Sequence, residues 1–274
     1  MANSAPESLK VLVTGGTSGL GLSIVKLFLR KGYEVVTTGR QPVIIHENAG
    51  RFTFLMTDFS SLKQTEVAAK YLSRNFKFDI VINNAGVLSP PDFLLTVDGF
   101  EYTFQVNFLS HLLLNEIILC SARPGKPVRI LNVTSMVYRI AENQFKIPDS
   151  ESGYRPLKAY ANSKLYLALM CVHLPDRYPA MNLKCIAFDP GIFSSGIYRM
   201  QKKWFRVMYM SGALFMKSPE KTAIRIGKIL EREDLINGTI YQSVNRKKKI
   251  PAIENKATSD FWNECYKVIG PFLT

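Results

Sequence analysis

Apolar runs rich in Val and Ile recur along this chain, separated by longer segments with helical spacing. The runs are KVLVTG (10–15), EVVTTG (34–39), RFTFLMTD (51–58), DIVINNAG (79–86), VRILNVTS (128–135) and LKCIAFDP (183–190), with a weaker TIYQS at 239–243. Near-continuous apolar runs mark strands covered on both faces. Between them, 19–31, 60–76, 98–120, 157–175 and 218–232 read as helices. A β-α-β-α order of this kind predicts a doubly wound parallel sheet of about seven strands flanked by helices, with right-handed crossovers. No Pro/Gly/Ser-rich linker or composition shift divides the chain. The expectation is one domain over 1–274, with an irregular segment at about 192–217 and a basic C-terminal extension at 244–274.

Composition narrows the class. Of 274 residues, 47% are hydrophobic and 21% charged, as in a globular protein. The net charge of +13 fits nucleic acid, an anionic membrane surface or a phosphorylated ligand, and charge alone does not choose. The basic residues are scattered and no recognition motif accompanies them, which argues against nucleic acid. Cys120, Cys171, Cys185 and Cys265 form no CxxC pair and no metal-like cluster with histidine. They read as free thiols of a reducing compartment, with no metal expected. The polar MANSAPESLK start runs straight into a strand, so no secretory leader is expected, and no uninterrupted apolar run nears a membrane span. A cytoplasmic location follows as an expectation.

The first strand ends in TGGTSGLG, placing Gly15, Gly19 and Gly21 in the spacing GxxxGxG before an amphipathic helix carrying Leu20, Ile24, Leu27 and Phe28. Small residues there let backbone approach a pyrophosphate, and the helix start offers free N–H groups and a positive dipole end. That strand–turn–helix context is what turns a glycine triplet into a dinucleotide site, making the fold Rossmann-type. A tight turn without ligand is the plain alternative. The second strand ends in TTGR, with Arg40 and no acid. A carboxylate there would meet a ribose 2′-OH, whereas a guanidinium matches a 2′-phosphate. The expected cofactor is therefore NADP(H), with Thr38 or Ser18 assisting; a solvated loop arginine is the alternative. Asp58, ending the third strand, either meets the adenine amino group or caps its own loop.

Tyr160 and Lys164 in YANSK lie one turn apart on a predicted helix, so an ammonium stands beside a phenol and favours the phenolate. Ser135 ends the fifth strand, where a hydroxyl can hold a carbonyl oxygen. Asn107 is a polar residue within the apolar FQVNFLSHLLL. Singly, these read as a surface pair, a helix cap and a core amide. Together, at the carboxyl ends of the strands, they read as a catalytic set.

On TGGTSGLG, Asp58, NNAG (83–86), Asn107, Ser135, YANSK and DPG (189–191), the chain closely resembles the classical short-chain dehydrogenase/reductase family over about residues 9–243. The resemblance implies that Tyr160 donates or accepts the proton and Ser135 orients the carbonyl. Lys164 would bind the nicotinamide ribose and lower the Tyr160 pKa, and Asn107 would support a water linking Lys164 to solvent. Cofactor contacts are implied for Gly15, Thr17, Ser18, Gly19, Leu20, Gly21, Arg40, Asp58, Asn84, Ala85, Gly86, Tyr160, Lys164, Pro190, Gly191, Ile192 and Ser195. Ser195 stands where the family often has threonine. The run NNAGVLSPPDFLLTVDGFEYTFQVNFLSHLLL, and a Ser135–Tyr160 gap longer than is usual, resemble the retinol-dehydrogenase and WW-domain-oxidoreductase branch. That implies NADP(H)-dependent hydride transfer to or from a lipophilic carbonyl or alcohol. An ene- or imine-reductase, or a non-enzymatic NADP-binding sensor, would share the scaffold.

Residues 197–220 interleave Arg199, Lys202, Lys203 and Arg206 with Trp204, Phe205, Met208 and Tyr209. They read as a substrate lid, as a basic amphipathic segment for peripheral membrane contact through 197–217, or as a core helix. The run NRKKK (245–249) reads as an anion site or a solvated loop, and 257–268 as a short helix capped by Ser259 or Asp260, lying near the pocket or an interface. Helices 98–120 and 157–175 are apolar enough to pair across a homodimer.

Overall fold

The computed structural model describes residues 8–142, 145–148, 150–191, 218–250 and 255–273. The lid and membrane-contact segment at 192–217, with Ile192 and Ser195, lies outside them.

Eight strands form one sheet in the order β3-β2-β1-β4-β5-β6-β7-β8. They are β1 Lys10–Thr14, β2 Glu34–Gly39, β3 Phe52–Met56, β4 Ile80–Asn83, β5 Val128–Val133, β6 Leu183–Phe188, β7 Thr239–Tyr241 and β8 Lys247–Lys249. The first seven are parallel. Strand alternation splits the core into two layers. Leu12, Val36, Val81 and Ile130 face α2 Leu62–Asn75, α3 Tyr102–Cys120 and α4 Pro156–Arg177. Val11, Val13, Val35, Ile80 and Ile82 face α1 Gly19–Arg30 and α5 Pro219–Leu230. The strand order reverses between β1 and β4, opening a crevice at the carboxyl ends of the strands.

Local chemistry sets the helix ends. Ser61 Oγ accepts from Gln64 N–H at the start of α2, and Ser218 does the same from Lys221 N–H at α5. Pro156 opens α4, where its missing N–H costs nothing. Helix α3 is long and apolar enough to cross a membrane by length and composition, but 94% of its apolar window is buried inside the fold.

Two elements depart from the sequence reading. The lysines of NRKKK form β8, antiparallel to β7, with Tyr241 opposite Lys247 and Thr239 opposite Lys249. All three lysines are exposed. No apolar alternation announces this strand, because its pairing with β7 is made by backbone; its charges discourage further strands from adding at that edge. The C-terminal helix, α6 Lys256–Leu273, runs 18 residues and is capped by Asn255, whose Oδ1 accepts from Thr258 N–H at 3.0 Å, rather than by Ser259 or Asp260. It buries Phe261, Trp262, Cys265 and Ile269. Phe261 packs on Phe104, Phe108 and Tyr166, with ring centroids 6.3, 5.7 and 4.6 Å away. The aromatic face of α3 and α4, which the sequence offers to a second copy, is covered from within the chain.

Candidate active site

The glycine turn is built by close approach. A Cβ at Gly15, whose φ is +65°, would stand 2.9 Å from Ala85 Cα; at Gly21 it would run into the Gly15 carbonyl and the Asn84 amide. Asn84 braces the turn from below, its Nδ2 donating to the Thr14 and Gly15 carbonyls at 2.9 and 3.2 Å. Among the described residues a Cβ at Gly19 would meet no atom within 4 Å, which leaves room for a ligand at this corner of the turn. Ser18 is the N-cap of α1 in extended backbone but makes no side-chain cap bond. The N–H groups of Gly19, Leu20 and Gly21 therefore begin the helix without intrahelical partners. Thr17 packs under Gly39, at the end of β2.

Beside this cradle, β2 ends in Thr38 and Arg40. Thr38 Oγ1 is buried and has no hydrogen-bond partner among the described residues. Arg40 is exposed, and its guanidinium interacts with the half-buried Tyr102 phenol, with Asp58 also within electrostatic range. Burial raises the Tyr102 pKa and Arg40 opposes that rise. Asp58 Oδ1 accepts from the Ser60 N–H and hydroxyl, both at 2.9 Å, so it does cap its own loop. An unpaired buried hydroxyl, an exposed guanidinium and a helix start with free amides form a donor set suited to a phosphorylated dinucleotide. The residues present fit that group.

The second group lies across the crevice. Asn107 sits in a π-helical turn of α3, Gln105–Leu109, and is fully buried. Such turns recur at functional sites because the extra residue re-aims side chains. Its Oδ1 accepts from Val87 N–H at 2.8 Å, and its Nδ2 donates to the Val87 carbonyl and to Ser163 Oγ, each at 3.0 Å. Ser163 in turn donates to the Tyr160 carbonyl at 2.8 Å. A Cβ on Gly86 would lie 3.1 Å from Asn107 Oδ1 and 3.3 Å from Lys164 Nζ, so glycine is what lets the NNAG turn, Asn107 and Lys164 meet. Lys164 Nζ donates to the Val133 carbonyl at 3.0 Å and stands 5.8 Å from the centre of the Tyr160 ring. Burial pulls its pKa down to about 8.

Ser135 follows β5 directly and caps the 3₁₀ turn Met136–Ile140, its Oγ 3.4 Å from Val137 N–H. Thr134 Oγ1 donates to the Lys164 carbonyl at 2.9 Å, seating α4 against the end of β5. The long segment between Ser135 and Tyr160 is tied down at several points. Lys158 Nζ donates to the Ile140 carbonyl, Glu142 N–H to Asn162 Oδ1, and the Tyr154 hydroxyl to the Pro90 carbonyl, at 2.9, 2.9 and 3.1 Å. Pro190 and Gly191 close β6, where Asp189 Oδ1 accepts from Gly191 N–H at 2.9 Å.

Gly86, Asn107, Tyr160 and Lys164 thus come together, with Ser135 at the adjacent strand end. Arg40 and Asp58 form a separate group by Tyr102. Sequence reasoning passed over Tyr102, Thr14, Ser163 and His111. Their one signal was polarity inside apolar runs, most visible in the Asn107–His111 pair four residues apart.

A family model described as short chain dehydrogenase matches residues 9–205. Human polyprenol dehydrogenase is 28% identical, over 94% of this chain and 84% of its own length. Mouse retinol dehydrogenase 14 is 31% identical, over 69% of this chain and 62% of its own length. Among solved structures, a short-chain dehydrogenase from Sphingobium yanoikuyae in complex with NADPH matches with a TM-score of 0.66 at 18% identity, covering 96% of this chain and 95% of that one. At that identity the likeness speaks to the fold.

Proposed function

The chain belongs to the short-chain dehydrogenase/reductase family and is an oxidoreductase of its retinol-dehydrogenase-like branch; from that premise we propose that it uses NADP(H) to interconvert a lipophilic carbonyl compound and its alcohol. The observation that carries the proposal is the buried Lys164 ammonium beside the Tyr160 ring, close against Gly86 and Asn107. Bound in that crevice, the nicotinamide supplies or takes up the hydride. In the reductive direction Tyr160 gives its phenolic proton to the carbonyl oxygen, and Ser135 holds that oxygen by a hydrogen bond. Lys164 favours the phenolate left on Tyr160, and its burial strengthens that influence. Asn107 holds the Val87 backbone and Ser163, keeping α3, α4 and the NNAG turn in register.

Cofactor choice rests on Arg40, Thr38 and the lack of an acid at the end of β2. The pyrophosphate would be held by the turn and helix start at Gly15, Thr17, Ser18, Gly19, Leu20 and Gly21, the adenine by Asp58, and the nicotinamide end by Asn84, Ala85, Gly86, Pro190, Gly191, Ile192 and Ser195. The lipophilic substrate is supported by relatives named for retinol and polyprenol. It is also supported by three exposed apolar side chains around Ser135 and Tyr160, namely Met136, Ile140 and Leu157. A single catalytic domain over 1–274, a cytoplasmic location, peripheral membrane contact through 197–217 and a homodimer complete the proposal. Such a dimer would have to use a face other than the one α6 covers.

The test follows nicotinamide absorbance with NADPH or NADH and a panel of lipophilic aldehydes, ketones and enones, with products identified by mass spectrometry. NADPH-dependent alcohol formation is expected. Tyr160→Phe should lose about 10²- to 10⁴-fold in turnover while still binding NADPH. Full activity in that variant would overturn the mechanism, and reduction at carbon–carbon double bonds would change the reaction class.

A further inference from the structure

His111 is fully buried, four residues beyond Asn107 on α3, and its ring reaches back to Asn107 and across to the end of β1. Nδ1 lies 3.1 Å from the Asn107 carbonyl and Nε2 lies 3.0 Å from Thr14 Oγ1. Thr14 ends β1, and its Oγ1 also receives the Asn84 and Ala85 N–H groups, both at 2.9 Å.

These contacts decide between the ring tautomers. A carbonyl only accepts, so Nδ1 carries the hydrogen and donates it to Asn107. Two amides occupy the lone pairs of the Thr14 hydroxyl, which therefore spends its one proton on Nε2. A weaker 3.4 Å approach of the same hydroxyl to the Ile82 carbonyl competes with it. A protonated imidazole would aim an N–H at an oxygen with no lone pair left. Burial and the nearby Lys164 ammonium disfavour that form too, and hold the pKa at about 3.

We infer that neutral His111, as its Nδ1–H tautomer, is the positioning residue that locks the β1 end, the Asn84–Ala85 peptide and the Asn107 turn into one unit, and so sets the nicotinamide side of the cofactor crevice. This rests on the reading of that crevice as a dinucleotide site. The chain Asn107–Ser163–Tyr160 carries the same constraint to the catalytic helix. His111 touches no reacting atom; it acts through Thr14 and Asn107.

The inference separates the two ends of the cofactor. Among the described residues His111 makes its side-chain hydrogen bonds to Thr14 and Asn107 and to none of Arg40, Thr38 and Asp58, so 2′,5′-ADP serves as a probe of the adenosine end. In purified, folded His111→Leu, affinity for NADPH should fall by about tenfold or more, while affinity for 2′,5′-ADP stays within about twofold of the parent. His111→Gln keeps a donor and an acceptor and should recover part of the NADPH affinity. A ¹⁵N spectrum of the histidine-labelled parent should show one imidazole that stays neutral with hydrogen on Nδ1 down to about pH 4; this readout stands even if His111→Leu does not fold. Unchanged NADPH affinity in a folded His111→Leu protein, equal losses for both probes, or an Nε2–H tautomer would each overturn the inference. If the parent binds neither NADPH nor 2′,5′-ADP, the dinucleotide reading itself fails.

Discussion

Arg40 illustrates what a single residue can and cannot announce. Its charge and its place after β2 were legible, because the ribose-facing position is fixed by the first two strands of such a sheet. Its neighbour Tyr102 was not, since their contact joins residues 62 positions apart and no local pattern encodes it. The same holds for Thr14 and His111, 97 residues apart. By contrast Tyr160 and Lys164 are four apart on one helix face, so their meeting is written in the spacing itself. If the Arg40 guanidinium holds a 2′-phosphate, Arg40→Ala should weaken NADPH on the order of 10- to 100-fold and leave NADH nearly unchanged. Parallel titrations of both nucleotides decide this, and equal weakening of the two would remove Arg40 from the phosphate.

At the level of elements, the seven parallel strands and five of the helices were readable to within a few residues, because each repeats an apolar period. What escaped were elements defined by partners rather than by pattern. Strand β8 is three lysines that exist as a strand only because β7 offers an edge. The π-helical turn at Gln105–Leu109 leaves no mark in an apolar stretch, yet it presents Asn107 inward. The sequence over 257–268 reads as a shorter helix than the 18 residues of α6. Its weight lies in Phe261, which meets Phe104, Phe108, Phe145, Tyr166 and Trp262 with ring centroids 4.6 to 6.3 Å away. Phe261→Ala should cost about 3–5 kcal/mol in urea unfolding, and Asn263→Ala, on the exposed side of α6, should stay within about 0.5. A loss at Phe261 no larger than that at Asn263 would mean that α6 is only loosely docked.

Across the whole molecule, two buried histidines, His111 and His173, tie stability to pH. His111 is held at about 3 and His173 at about 4, in both cases chiefly by burial. Both lie below the unfolded value of 6.5, so above that pH neither matters. As pH falls through 6.5 the unfolded chain takes up protons that the fold refuses, and stability declines until about pH 3 to 4. At His173 alone this amounts to roughly 3 kcal/mol. Glu101 works the other way: burial raises its pKa, so the folded form gains its proton first and offsets part of the loss. Thermal midpoints should fall steadily from pH 6.5 to 4, and the fall should shrink in His173→Phe; an unchanged slope would relocate the effect. His173 also lies flat on Trp262, with ring centroids 3.9 Å apart and planes 6° from parallel, and its Nε2 meets the Tyr266 hydroxyl at 3.0 Å. One helix thus carries the indole and another the imidazole. The protein holds its own optical reporter, an emitter whose brightness and colour register whether α6 is seated and whether the ring beneath it bears charge.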